Sequence, residues 1–271
     1  ESETMKYLVD HDYHIHSTLS SCSNDPAQST ERILQYAKDN GLKKICITDH
    51  FWDEKVEGAS GWYAPQNFAH ISRAKPLPQA DGIEFFFGCE TDMDKFFTVG
   101  VSAERYDEFD FIIIPTTHLH MTGFTLSEED AQSDARRAEL WVERFERLLE
   151  LDLPFYKVGI AHLACGLIRP KDRAALLSVL DAIDESDMRR LFSRAAELGC
   201  GIELNHSDMS FKDEEADRVL RMFRIAKECG CKFYLGSDAH HPSTFESTDR
   251  IFTRAIDLLG LEESDKFVVG K

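Results

Sequence analysis

Seven short apolar runs recur along the chain, each bounded by Gly, Asp or Pro and rich in β-branched or aromatic residues. They span residues 6–13, 43–48, 83–88, 109–115, 156–161, 200–205 and 231–236. Runs of this length and composition are typical of β-strands buried in a sheet. Segments with helical periodicity lie between most of them, at residues 30–40, 127–150, 184–198 and 213–229. Strands that alternate with helices predict a parallel sheet.

Polar residues follow six of the seven runs, at the point where each strand is predicted to end. They are His14, His16, His50, Glu90, His118, His162, Asp238 and His240. An open sheet would spread these side chains along an edge, whereas a closed barrel brings the C-terminal ends of all its strands to one face. The length of 271 residues also suits one α/β barrel. We therefore predict an α/β fold, a TIM-like (β/α)7 barrel that forms a single domain over residues 1–271, with an irregular loop or lid at about 51–80.

The residues at the strand ends carry the donor atoms of a metal site. Histidine nitrogens and carboxylate oxygens bind Zn, Mn and Fe ions. His14 and His16 are two positions apart, so both imidazoles face the same side of an extended strand. A lone histidine after a strand is more often a loop or capping residue, but six of the 11 histidines occupy such positions. The pattern therefore predicts a site for more than one divalent ion.

Charge and composition limit the partners of this protein. Asp and Glu outnumber Lys and Arg by 49 to 31, and the net charge is −18. Because affinity for a phosphate backbone comes largely from Lys and Arg, we do not expect a nucleic-acid partner. No apolar run is long enough to span a bilayer, the first residues do not resemble a signal peptide, and the seven cysteines lack a disulfide-scaffold spacing. We expect a cytoplasmic protein without a membrane partner; the sequence does not indicate its oligomeric state.

Five motifs follow one another in a fixed order: His14-x-His16, Thr-Asp49-His50, Gly-x-Glu90, the isolated His118 and His162, and Gly-Ser-Asp238-Ala-His240. In this order they resemble the polymerase-and-histidinol-phosphatase (PHP) superfamily, and in particular its histidinol-phosphatase-like branch. The resemblance covers residues 12–240. It implies a distorted seven-stranded (β/α) barrel, two or three divalent metal ions as cofactors, and hydrolysis of phosphate esters.

The resemblance also implies three groups of metal ligands. The first ion would be held by His14, His16, Glu90 and Asp238. The second ion would be bridged by Glu90 and also held by His118 and His162. The third ion would be held by His50 and His240.

One family ligand of the third ion is replaced in this chain. The position six residues after His16, which is often Asp or His in the family, is Cys22. A thiolate binds zinc, but it is a softer donor than a carboxylate oxygen. Asp25 lies close by in the sequence and is an alternative ligand.

Substrate binding and proton transfer need residues beyond the metal ligands. Glu90 and Asp238 are predicted to be catalytic through the metal centre. In histidinol-phosphate phosphatases an arginine after the fifth-strand histidine is expected to contact phosphate, which makes Arg169 the candidate here; its alternative role is a surface salt bridge.

Three further histidines lie beside predicted ligands: His120, His206 and His241. Each is either a candidate acid for the leaving group or a supporting or solvated residue. His206 is predicted to be catalytic, and both His120 and His206 are predicted to bind the substrate phosphate. Asp49, Asp92 and Asp94 either support metal ligands or are solvated loop acids.

These features predict an enzyme, a metal-dependent phosphoesterase in which a metal-activated hydroxide attacks a phosphate ester. The predicted substrate is a small phosphomonoester, with L-histidinol phosphate as the leading candidate. One alternative is a PHP phosphoesterase that acts on nucleotide or oligonucleotide phosphates. The other is a non-catalytic, metal-binding regulatory domain.

Overall fold

Seven parallel strands form the centre of the protein. The structure, a computed structural model, describes residues 4–270. The strands are β1 His11–Ile15, β2 Lys44–Ile47, β3 Glu84–Glu90, β4 Phe111–Pro115, β5 Val158–Ala161, β6 Gly201–Asn205 and β7 Lys232–Gly236. Each strand pairs with the next one in the chain. Near the C-terminal ends of β1 and β7, the amide of His16 donates to the carbonyl of Ala239 at 3.0 Å. The sheet is thus a nearly closed barrel, and the predicted single-domain (β/α)7 fold is confirmed.

Helices surround the barrel. They are α1 Thr30–Asp39, α2 Phe68–Ile71, α3 Glu128–Ala131, α4 Asp134–Leu149, α5 Arg173–Asp181, α6 Glu185–Leu198, α7 Ala216–Glu228 and α8 Thr248–Leu259. Helix α1 begins after Ser29, whose side chain accepts a hydrogen bond from the amide of Arg32. It is followed by Gly41, whose φ of 65° lies in the left-handed region that favours glycine. No helix in residues 4–270 is both long and apolar enough to cross a membrane.

The segment 127–150 differs from its sequence pattern. We predicted one helix, whereas the structure has two, α3 and α4. Ser133 explains the break, because its side chain accepts a hydrogen bond from the amide of Arg136 and so caps a new helix. Ser127 caps α3, as its position before three acidic residues indicates.

The first strand also begins later than predicted. Residues 6–13 read as one apolar run, but β1 starts at His11, and Lys6 instead pairs in antiparallel fashion with Glu262. The predicted lid segment at 51–80 contains α2 and turns. Within it Trp52 and Tyr63 are buried, whereas Trp62 is exposed.

Large side chains fill part of the barrel interior. This cluster is separate from the main core, and it consists of Tyr13, Cys46, Phe111, Ile113, Ala161, Tyr234, Phe267 and Val269. Gly159 is required beside it, because a Cβ atom there would lie 2.5 Å from the hydroxyl of Tyr234. The polar residues that follow the strands are thereby left to occupy the C-terminal end of the barrel.

Candidate metal centre

Glu90, the last residue of β3, lies at the middle of a cluster of histidines. One carboxylate oxygen, Oε1, is 3.2 Å from Nε2 of His14 and 3.1 Å from Nε2 of His16. The other, Oε2, is 3.4 Å from Nε2 of His162 and 4.0 Å from Nε2 of His118. The chain therefore brings together residues from four strand ends that are up to 148 positions apart (His14 to His162) around one buried carboxylate.

Three groups of potential metal donors meet here within residues 4–270. In each group, one donor atom per residue lies within 4.8 Å of all the others. The groups are His14, His16, Glu90 and Asp238; Glu90, His118 and His162; and His16, His50 and His240. The first two have the same members as the predicted ligand sets. The third contains the predicted His50 and His240 together with His16, and it does not contain Cys22.

The chemistry of these donors fits divalent cations. Glu90 Oε2, Asp238 Oδ1 and His50 Nδ1 are buried, and none has a hydrogen-bond partner within residues 4–270. A buried polar atom without a partner costs on the order of 1–3 kcal/mol, and more when it is charged. A cation shared by these oxygens and nitrogens removes that cost. A mixed set of imidazoles and carboxylates suits Zn, Mn or Fe.

Hydrogen bonds orient the two imidazoles at the C-terminal end of β1. His14 Nδ1 is 2.6 Å from Oε2 of Glu203, a carboxylate that can only accept. His16 Nδ1 is 2.8 Å from the hydroxyl of Ser20, which donates its own proton to Asp49 and therefore accepts from His16. Because Nδ1 donates in this way, Nε2 is the nitrogen of each ring that faces the centre of the cluster and can bind a metal ion there.

The imidazoles after β4 and β5 are held in the same way. His118 Nδ1 is 2.8 Å from Oδ2 of Asp92, which also accepts from the hydroxyl of Tyr63. His162 Nδ1 is 2.9 Å from the hydroxyl of Thr117, and this hydroxyl donates to the carbonyl of His162. Asp92 and Asp49 thus support histidines, which is one of the two roles that we weighed for them. Asp94 instead accepts from backbone amides of its own turn.

Glu203, like Ser20 and Thr117, supports a donor imidazole and was missed by the sequence analysis. Its side chain is 0% exposed and lies in the middle of β6, the one strand for which we named no candidate ligand. It accepts hydrogen bonds from the amide of His162 and from the side chain of Asn205, in addition to its contact with His14. A signal was present, because an acidic residue inside an apolar strand needs a buried partner.

The two carboxylates of the centre are ionised. Burial acts to raise the pKa of Glu90, but the positive charge of His14 and the contacts with His14 and His16 hold that pKa well below its usual range. Burial likewise acts to raise the pKa of Asp238, but the charge of His14, whose Nε2 is 3.1 Å from Oδ1, lowers it well below its usual range. The chain thus presents negative charge to a cation at this point.

The imidazoles divide into two classes. Burial acts to lower the pKa of His16, but the carboxylates of Asp238 and Glu90 beside its ring raise it to about 9. Burial lowers the pKa of His240 to about 4, and the charge of His16 adds to this shift. The pKa of His50 is also lowered by burial and by His16. His50 and His240 are therefore neutral, the state in which an imidazole binds a metal ion.

Two of the donor residues have unusual backbone conformations. Asp238 has a φ of 55° and His162 a φ of 30°, both in the left-handed region. Such conformations cost on the order of 1–3 kcal/mol for residues other than glycine and cluster at functional sites. Here they turn side chains from strand ends toward the shared centre.

Six of the eight donors, all except His14 and His16, line a cavity of about 600 Å³. This volume lies within the usual range for small-molecule sites, roughly 300–1,000 Å³. Cys22 and His120 also line the cavity. The ring of His120 lies edge-on to that of His118, with 5.2 Å between their centroids.

Arg169 does not line the cavity. Its Nε donates to Asp134 at 2.6 Å, and one of its terminal nitrogens donates to the carbonyl of Pro170. The structure therefore places it in the surface salt bridge that was the alternative to a phosphate contact. The position of Arg169, seven residues after His162, does not predict this salt bridge. The side chain is directed by Asp134 at the start of α4, which lies earlier in the chain.

Two of the three remaining histidine candidates also lie apart from the donors. His206 Nε2 is 2.8 Å from the hydroxyl of Ser247, and His206 does not line the cavity. Its predicted catalytic and phosphate-binding roles therefore have no support from this geometry. His241 faces Asp25, with 4.0 Å between Nδ1 and Oδ2. Asp25 is thus directed to His241, and the ligand role of Cys22 stays a prediction.

Comparison with known proteins identifies the family. Residues 12–207 match the sequence profile described as PHP domain. The chain belongs to the PHP domain family. This confirms the family predicted from the strand-end motifs, and the matched segment contains every donor of the cluster except Asp238 and His240.

Two other proteins are similar to this chain. A protein named "Probable phosphatase" from Caldicellulosiruptor saccharolyticus is 22% identical over 220 residues, which are 81% of this chain and 76% of the relative. The histidinol phosphate phosphatase of Lactococcus lactis, solved with zinc, L-histidinol and phosphate, has a similar fold at a TM-score of 0.55 and 18% identity. That alignment covers 96% of this chain and 98% of the other. The predicted enzyme class, a phosphatase, is confirmed by the PHP domain match, and the L. lactis structure shows that the fold is shared.

The three donor groups can therefore bind divalent metal ions and bring them into contact with a small molecule in the cavity. Their buried carboxylates and oriented imidazoles fit divalent metal binding, as predicted. The cavity admits a small molecule directly to the donors, because Glu90, His118, His162 and Asp238 are themselves part of the wall.

Proposed function

We propose that this PHP protein is a metal-dependent phosphatase that hydrolyses a small phosphomonoester, with L-histidinol phosphate as the candidate substrate. The observation that carries the proposal is the buried Glu90 carboxylate, shared among four imidazoles at a cavity wall, with one oxygen left without a hydrogen-bond partner. A buried carboxylate oxygen without a hydrogen-bond partner is stabilised by a bound cation. A cation open to a cavity is the arrangement of a catalytic rather than a structural metal site.

The residues that would hold the ions are those of the three donor groups. Glu90 would bridge the first two ions, Asp238 would complete the first group, and His50 and His240 would hold a third ion, with Cys22 as the candidate additional ligand. When bound, divalent ions lower the pKa of water and neutralise the non-bridging oxygens of a phosphate.

The chain supplies orientation and hydrogen bonding around the substrate. His120 lies on the cavity wall, and burial together with the neighbouring His118 lowers its pKa to about 4. A neutral imidazole keeps one N–H group, so we propose that His120 donates this proton in a hydrogen bond to a phosphate oxygen. Glu203, Ser20, Asp92 and Thr117 hold the metal-binding imidazoles in place and do not contact the substrate.

The charges favour a small monoester over a nucleic acid. Within residues 4–270, no lysine or arginine lines the cavity, so nothing in the wall is available to follow a polyphosphate backbone. The histidinol branch of the family, which the order of the motifs resembles, supplies the specific candidate. The fold shared with the L. lactis enzyme agrees with that choice.

A phosphatase panel tests the proposal. The purified protein is loaded with Zn, Mn or Fe and supplied with histidinol phosphate, p-nitrophenyl phosphate, mononucleotides and short DNA. We expect phosphate release from the small monoesters, with histidinol phosphate among the best. A clear preference for the DNA diester contradicts the substrate class. No release from any ester, by protein of verified metal content, contradicts the enzymatic function itself.

A further inference from the structure

Outside the donors, the cavity wall is largely apolar. Trp62, Met121 and Leu167 line it. The side chains of Trp62 and Leu167 remain 40% and 36% exposed. Trp62 comes from the segment after β2, and Leu167 from the short turn after β5. Because β2 and β5 stand across the seven-stranded barrel from each other, the two side chains approach the cavity from different sides.

Trp62 connects this apolar wall to the donors. Its ring lies edge-on to the imidazole of His50, with 5.0 Å between centroids, and edge-on to Tyr63 at 4.8 Å. If the phosphate of an ester binds at the donors, a short alcohol attached to that phosphate is therefore long enough to contact Trp62. Most large apolar side chains of the protein are buried, so a tryptophan left exposed at a cavity marks a surface that takes up a ligand.

The same wall offers few free polar groups to a polyhydroxy alcohol. Asn205 and Tyr63 line it, but their side chains already donate to Glu203 and Asp92. Among the described lining residues outside the donor groups, Ser207 and His120 are left to bind hydroxyls. A polyhydroxy leaving group would therefore place most of its hydroxyls against Trp62, Met121 and Leu167, without partners. Unpaired polar groups at an apolar surface reduce affinity.

We propose that this site selects phosphate esters whose alcohol carries a flat, apolar or aromatic group, and that Trp62 and Leu167 are the residues that determine this specificity. The inference rests on the proposed phosphatase function and names the substrate class of that site. Histidinol phosphate, which carries an imidazole ring, belongs to the class. Glycerol phosphate and sugar phosphates do not.

Kinetics on two esters with the same kind of leaving group test the inference. 2-Phenylethyl phosphate and glycerol 3-phosphate both release a primary alkoxide, so a difference in kcat/KM reports mainly on recognition of the alcohol. We expect wild-type enzyme to favour the phenylethyl ester by roughly tenfold or more, as burial of most of a phenyl ring implies. Leu167→Ala lowers this ratio about fivefold, and Trp62→Ala lowers it more.

Matched variants separate recognition from damage to the metal centre. Tyr156→Ala removes an aromatic side chain that is 68% exposed at the start of β5, away from the cavity, and leaves the ratio unchanged. Trp62→Phe keeps a ring beside His50 and retains most of the preference. Metal content is measured for each variant. A wild-type ratio near one, or an equal loss on both esters in Leu167→Ala, overturns the inference.

A binding experiment tests the same claim without turnover. Calorimetry compares 3-phenylpropylphosphonate, which mimics the phenylethyl ester, with propylphosphonate, which lacks the ring, on metal-loaded protein. We expect the ring to strengthen binding by roughly tenfold or more, with a loss of that gain in Leu167→Ala. Equal binding of the two phosphonates overturns the inference. Tighter binding of the ring compound without hydrolysis of any ester supports the inference while it contradicts the phosphatase function.

Discussion

Glu203 fixes the ring of His14, and its replacement by glutamine provides a sharp test of how the metal centre is built. Oε1 accepts from the amide of His162 at 3.1 Å and from Nδ2 of Asn205 at 2.7 Å, whereas Oε2 accepts from His14 Nδ1 at 2.6 Å. All three partners are donors, so both carboxylate oxygens must accept. A glutamine has one oxygen and one NH2 group, and either orientation sets the NH2 group against a donor.

The expected cost follows from these contacts. Loss of a hydrogen bond that orients a metal-binding imidazole lowers metal affinity by about 10–100-fold. A buried pair of facing donors lowers the free energy of unfolding by roughly 1–3 kcal/mol. We therefore expect Glu203→Gln to fold, to bind zinc about 10–100-fold more weakly in chelator competition, and to lose phosphatase activity at limiting zinc.

The control for Glu203→Gln is Glu228→Gln, the same substitution in an exposed salt bridge with Arg189. Exposed pairs contribute little, so the control should match wild type in metal affinity and stability. If Glu203→Gln binds zinc as tightly as the control, Glu203 does not orient His14 for metal binding, and the reasoning from its hydrogen bonds is refuted.

Three further predictions follow from other contacts. Cys22→Ser retains at least the first two ions by elemental analysis, because Cys22 belongs to neither group that contains Glu90; loss of all metal would contradict the donor groups. Arg144→Met lowers the free energy of unfolding by about 3 kcal/mol in urea titration, because the buried guanidinium donates to the carbonyls of Met93, Asp94, Thr116 and Thr125; an unchanged midpoint would contradict this role. The pKa of Asp10 is lowered to about 2, since its contacts with His11 and Lys266 outweigh the effect of burial. The stabilisation from this carboxylate is thus present above its unfolded pKa and lost as the pH falls toward 2, so the difference in unfolding free energy between wild type and Asp10→Asn should shrink below pH about 4; a difference that grows there would contradict the sign.

The fold was predictable because its signal repeats along the chain. Seven apolar runs separated by helical segments define a parallel barrel, and all seven strands lie at or beside the predicted runs. Boundaries were less predictable where a local hydrogen bond decides. Ser133 starts a new helix inside 127–150, and nothing in the apolar periodicity of Leu140, Trp141 and Phe145 requires that break.

The donor residues were predictable for a related reason. Each lies at or just beyond the C-terminal end of a strand. The barrel brings all these ends to one face, so position in the sequence is enough to bring His14, His118 and His162 together. Residues that support the donors do not share this rule. Glu203 lies within a strand, and Ser20 lies in a loop, so their roles depend on side-chain directions that periodicity does not encode.

Arg169 was assigned a role in phosphate binding that its contacts do not support. Its distance along the chain from His162 suggested a phosphate contact, but Asp134 on α4 holds the guanidinium away from the cavity. His206 is likewise directed to Ser247, at the start of α8. In both cases a partner from a distant segment decides where the side chain points.

Metal content is the most direct test of the central claim, that strand-end donors around Glu90 form a polynuclear metal centre. Elemental analysis of protein produced with supplemented metals should give about two or three equivalents of Zn, Mn or Fe per chain, the occupancy expected for three adjoining donor groups. Glu90→Gln should lose most of this metal together with activity, whereas Glu228→Gln should retain both. Fewer than about one equivalent in the wild-type protein, or full metal content in Glu90→Gln, would contradict the account.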